Sequence, residues 1–273
     1  MTYYYFLPRP RNDVATTITV TQFVPNSLGR QVRTVPIAVA IYTLHRRDGS
    51  WCLHDTVNFG ESQHVTISSE EIGLDVGDIA VALPVQPDSP PPARTQLLPA
   101  PASRTVDGSP VATRCSLRFH WSGISSSYQS EYPLIMADRT NGPINSFNLS
   151  AFPQGRGASV LFCAVNITRD AGLSARDYSI HHVGHDGTPR GCTTSNARRN
   201  ACTVIETDSI EAATRLAYAS TDAVFLPIYI TLSNSQHGPE MSVEHTHPPQ
   251  EMFWRRPSQG FCMPKLRASW VPD

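Results

Sequence analysis

Proline and glycine interrupt this chain too often for long helices to form. Twenty-three prolines and sixteen glycines are spread over 273 residues, and a proline inside a helix removes a backbone donor and clashes with the preceding turn. Between the breaks stand short runs rich in β-branched residues. Residues 14–24 read Val-Ala-Thr-Thr-Ile-Thr-Val-Thr-Gln-Phe-Val, an alternation that marks a strand with one covered face. Residues 35–44 are apolar at nearly every position, as in a strand covered on both faces. Residues 79–85 and 158–168 share that character. Residues 224–233 form another run, in which Pro227 argues for an edge or a bulge. Shorter candidates are 63–67, 113–121, 144–149, 176–183, 202–206 and 240–246. The expected fold is mainly β, with antiparallel sheets in a sandwich or a less regular assembly and one or two short helices.

The helix signals are local. Asp208-Ser-Ile-Glu211 fits a capping box, and Ile210, Ala213, Leu216 and Ala217 then share one face, which predicts a helix over 208–219. A shorter helical turn is expected at Ser68, with Glu71 three residues on. Eight of the prolines fall between Pro84 and Pro110, a stiff stretch that suits a linker or a long excursion. The expected organisation is a β-rich domain over 1–85, a Pro-rich linker or excursion over 86–111, and a second β-rich domain over 112–273.

Charge excludes some partners. The formal net charge is −1 and only 16% of residues are charged, so no broad field attracts nucleic acid or a membrane surface. No window holds the roughly 18 apolar residues that a spanning helix needs. Of the 22 basic residues only Lys265 is a lysine, a skew that fits the codon usage of a GC-rich bacterium. The N-terminus lacks the three-part pattern of a secretion signal. The six cysteines are far apart, with no Cys-x-x-Cys pair. Reduced thiols and a cytoplasmic location are therefore expected.

Four stretches carry candidate chemistry. In Glu244-His245-Thr246-His247-Pro248-Pro249-Gln250-Glu251, a strand would set His245 and His247 on one face, with Glu251 as a third metal ligand. Over seven residues this pattern is similar to the core of the first cupin motif. A second such motif would have to lie in the last 20 residues, which contain no histidine, so the family is not assigned. His181, His182 and His185 flank an Asp-Gly turn signal and suit acid/base work near neutral pH. Residues 118–133 are expected to form a strand delivering His120, followed by a Gly/Ser loop presenting Tyr128 and Glu131. Finally, Arg198 and Arg199 lie in a Gly/Thr-rich basic stretch suited to holding an anion. No Walker A or dinucleotide fingerprint is present, so ATP and NAD are not expected.

Taken together, these residues favour an enzyme, or the catalytic subunit of one, using acid/base chemistry on a small anionic metabolite. An elimination or cyclisation in bacterial specialised metabolism would suit it. His120, Tyr128, Glu131, His245 and His247 would be catalytic, while Arg198, Arg199 and His185 would bind substrate, all on one concave wall. No cofactor is expected, a divalent metal on His245, His247 and Glu251 being a further option. A partner subunit or a second copy of the chain is compatible with the low charge and the aromatic start, Tyr3-Tyr4-Tyr5-Phe6. The alternative is a non-catalytic β-rich binding or assembly module with structural histidines.

Overall fold

The computed structural model describes residues 4–23, 37–59, 62–102, 105–106, 109–110, 112–129, 145–148, 158–167, 169–183, 189–207, 215–220, 225–235 and 238–245. The fold is mainly β and antiparallel, with no helix among the described residues. The chain divides into two compact units, Met1–Ala137 with Thr168–Leu173, and Asp138–Ile167 with Ser174–Asp273.

The first unit holds a five-stranded and a four-stranded sheet. The larger runs β1 (Tyr5–Pro8), β6 (Ile79–Val85), β3 (Ala38–Leu44), β4 (Trp51–Asn58), β7 (Arg94–Thr95). All seven residues of β6 and the first five of β3 are buried. This is the doubly covered state that their unbroken apolar sequences require. The smaller sheet runs β11 (Ile124–Gln129), β10 (Ala112–Trp121), β2 (Ala15–Phe23), β5 (His64–Ser68). Its strands alternate instead: Ile18, Val20, Cys115, Leu117, Phe119, Val65 and Ile67 are buried, with polar residues between them. Side chains tie the sheets together, since Tyr5 Oη donates to Thr113 Oγ1 and Thr16 Oγ1 donates to the Pro8 carbonyl. A short ribbon, β8 (Thr105–Val106) with β9 (Ser109–Pro110), completes this unit.

Polar contacts hold the Pro-rich segment to the same unit. Tyr42 Oη donates to the Pro92 carbonyl and Tyr4 Oη to the Pro99 carbonyl, at 2.9 and 2.8 Å. Ala102 N donates to the Pro84 carbonyl at 2.7 Å, and Arg169 binds the Leu98 carbonyl through Nε and Nη2. Leu98 is buried. Because proline carbonyls remain good acceptors while the missing N–H groups need no partner, such a strap can be fastened from outside by tyrosine and arginine donors.

The second unit contains two four-stranded sheets. One runs β12 (Asn145–Asn148), β17 (Arg215–Ser220), β14 (Ala175–Val183), β15 (Pro189–Arg198). The other runs β16 (Ala201–Thr207), β13 (Ala158–Asn166), β18 (Phe225–Ser235), β19 (Gly238–His245). Cys163, Ile167, Ala201, Cys202 and Leu232 are its described buried hydrophobic residues, and Asn200 is buried with them. Pro227 fits inside this sheet because its described pairing is to Ala164 on β13 alone, while the β18–β19 ladder begins at Ile228 and His245.

Two expectations change. The helix over 208–219 does not form at its C-terminal half: Arg215–Ser220 is a strand, paired with Asn145–Asn148 on one side and Tyr178–Val183 on the other. Partners on both edges outweigh a helical spacing of apolar residues; residues 208–214 lie outside the described residues. The loop expected after His120 is a two-residue turn, Ser122-Gly123, with φ of 50° and 83°. Positive φ at both positions matches the hairpin turn whose twist suits the flanking strands, so Ile124–Gln129 continues as β11. The strand β10, which starts at residue 112, pairs with β2 along nine residues. At Ser68 the turn forms as the sequence suggests, Glu71 Oε2 accepting from Ser68 N and Ser68 Oγ from Glu70 N.

Candidate functional site

The strand register decides which side chains share a surface. On β10, Thr113, Cys115, Leu117, Phe119 and Trp121 are buried, so Arg114, Ser116, Arg118 and His120 stand on the opposite face. Thr17 and Thr19 lie beside Arg118 and Ser116, and Thr21 beside Arg114. On the next strand, Ser68, Thr66 and His64 oppose Thr17, Thr19 and Thr21. Across the hairpin, Ser127 and Ser125 oppose Arg118 and His120. The result is a sheet face of small hydroxyls carrying guanidinium and imidazole groups, with no carboxylate among these described positions.

Exposure follows the same pattern. Arg114, Ser116, Arg118, His64, Thr66, Ser125 and Ser127 are exposed, and Thr17, Thr19, Thr21 and His120 are half-buried. Thr19 Oγ1 and Thr66 Oγ1 lie 3.3 Å apart across the β2–β5 ladder. Near the His120 end, Arg11 donates to Asp13 through Nε at 2.5 Å and Nη2 at 2.8 Å. Trp121 Nε1 reaches the same carboxylate at 3.1 Å. The Arg11 hydrogen bond, reinforced by its charge and by Trp121, holds the Asp13 carboxyl below its usual range.

The structure places the sequence candidates unevenly. His120 sits half-buried on the face just described, with Ala15 and Ser125 as its strand neighbours. Tyr128 lies on β11 opposite Leu117. His245 ends β19 opposite Ile228. His181 and His182 are consecutive on β14, opposite Cys192 and Gly191, just before a register shift at Val183. Arg198 is exposed and Arg199 half-buried at the β15–β16 turn, where Asn200 takes φ of 53°, a conformation asparagine tolerates. Glu131, His185, His247 and Glu251 lie outside the described residues. Among the described residues, no group of three His, Cys, Asp or Glu side chains is arranged to hold a metal.

A second polar cluster escaped the sequence reading. Asp48 Oδ1 accepts from Ser50 N and Oγ, at 3.0 and 2.6 Å, and lies 3.1 Å from His45 Nδ1. Arg94 pairs with Asp48 through Nη2, and its Nε donates to Ser50 Oγ at 2.7 Å. These bonds close the β3–β4 connection, in which His45 N donates to the Ser50 carbonyl and Gly49 N to the His45 carbonyl. The carboxylate is organised as a turn-former, with its donors supplied by its own loop and by β7.

The threonine face did have a sequence signal. It is the polar half of the alternation over residues 14–24, whose apolar half marks the strand. No family model matches this chain, and no curated protein matches it.

Proposed function

We propose that the chain is a non-catalytic β-rich binding module whose open sheet face, β11-β10-β2-β5, holds an extended, hydroxylated and acidic ligand, an acidic polysaccharide. One observation carries this reading: the register ranks Ser68, Thr17, Arg118 and Ser127 in one rung and Thr66, Thr19 and Ser116 in the next. Serine and threonine hydroxyls both donate and accept, so they match sugar hydroxyls without demanding one orientation. Guanidinium groups form paired, charge-assisted bonds with carboxylates. Sites for small molecules are usually concave, whereas an open sheet face offers repeated rungs to a repeating chain.

The test is retention on immobilised polygalacturonate, with neutral dextran as the comparison. The expected result is salt-sensitive retention on the acidic polymer alone, reduced several-fold by Arg118→Ser. Equal behaviour of the two proteins, or equal retention on dextran, overturns the proposal. Release of shortened or unsaturated fragments that disappears in His120→Gln would replace it with the acid/base enzyme reading.

A further inference from the structure

We propose that Cys163 and Cys202 form an oxidation site, closing to a disulfide that staples β13 to β16. In the structure both are free thiols, fully enclosed at 0% and 4% exposure, with their sulfurs 2.9 Å apart. Cys163 is opposite Val204, and Cys202 is opposite Val165. The two cysteines are therefore diagonal neighbours on adjacent antiparallel strands, and the strand register, fixed along seven residue pairs, brings them together. A disulfide bond is about 2.05 Å long, so closure moves the sulfurs by less than 1 Å.

Burial sets when the bond can form. The hydrogen bond to Cys202 and the loss of solvent both raise the Cys163 thiol well above its usual range, which makes it a poor nucleophile in the folded chain, and burial keeps an oxidant from both sulfurs. Oxidation therefore belongs to folding, before the strands close over the sulfurs. With glutathione disulfide as oxidant, one cysteine thiolate attacks a glutathione sulfur and releases one glutathione thiol. The second cysteine then attacks the mixed disulfide and releases another. Two electrons and two protons leave the protein, and two glutathione thiols carry them away. Once formed, the bond is shielded by the same packing.

The test refolds the unfolded, reduced full chain in glutathione disulfide, traps remaining thiols with an alkylating agent under denaturing conditions, and maps peptides by mass. The expected result is a peptide pair linked through Cys163 and Cys202. The denaturation midpoint should also rise, and that gain should vanish when the protein is refolded in dithiothreitol. Cys202→Ala should lose both the linkage and the gain. Alkylation of both Cys163 and Cys202 in the refolded wild-type chain overturns the proposal, as does linkage of either to another cysteine.

Discussion

Tyr5 Oη donates to Thr113 Oγ1 at 2.5 Å, joining two fully enclosed residues that are 108 positions apart in the chain. The bond crosses from the five-stranded sheet to the four-stranded sheet of the first unit. Tyr5→Phe keeps the ring packing and removes the donor, so it should cost about 1–3 kcal/mol, because the buried Thr113 hydroxyl loses this partner. Chemical denaturation of Tyr5→Phe, Thr113→Val and the double variant measures the coupling directly. Strictly additive losses would show that the two side chains do not support each other.

Gln22 presents the opposite case. It is fully buried on the inner face of β2, opposite Thr113 in the register, yet neither atom of its amide has a hydrogen-bond partner. An unpaired buried amide costs about 1–3 kcal/mol. Gln22→Met has nearly the same shape and no amide, and should raise the denaturation midpoint. A clear loss of stability would mean that the amide is satisfied in solution.

Alkaline pH should loosen the Pro-rich strap. Burial pushes both Tyr4 and Tyr42 from an ordinary 10.0 up to about 12, with Arg169 partly opposing the shift at Tyr4. A group whose pKa is higher folded than unfolded contributes its full stabilisation below the unfolded value and loses it as pH rises through the folded value. The stability held by these tyrosines is therefore intact below pH 10 and declines between about 10 and 12. Tyr42→Phe should flatten that decline, read from unfolding midpoints and from phenolate absorbance. An unchanged pH profile would remove Tyr42 as the cause.

Two glycines separate backbone strain from crowding. Gly49 and Gly73 have nearly equal φ, 67° and 65°. A Cβ on Gly49 would meet Leu173 Cγ at 3.1 Å and Gly172 Cα at 3.2 Å, whereas one on Gly73 would meet nothing within 4 Å. Alanine in this conformation costs about 1–3 kcal/mol. Gly49→Ala should therefore lose more stability than Gly73→Ala, the excess reporting how firmly residues 172–173 pack on the β3–β4 turn. Equal losses would show that this contact yields freely.

Much of the strand content was legible because a covered strand face leaves a direct trace in sequence. The runs over 14–24, 35–44 and 79–85 became β2, β3 and β6 within a few residues, and their covered faces matched their patterns. Tyr5–Pro8 and Trp51–Asn58 gave weaker traces. The first is four residues long, and the second has a mixed burial pattern, so neither shows a clean period. The apolar residues around Arg215–Ser220 satisfy a helical spacing as well as a strand, and the strand partners on both edges decide between them.

The candidate surface was half legible. Alternation along one strand says that Thr17, Thr19 and Thr21 share a side, since side chains repeat every two residues. It does not say that Arg118, more than ninety positions later, stands beside them. The amino-acid order thus determined the β class, the breaks and the inner and outer faces of each strong strand, because local sterics and burial act over a few residues. Only the tertiary structure decided which strands are neighbours and in what register, because pairing energy depends on partners far away in the chain. That register brought Thr17 to Arg118, Tyr5 to Thr113 and Cys163 to Cys202.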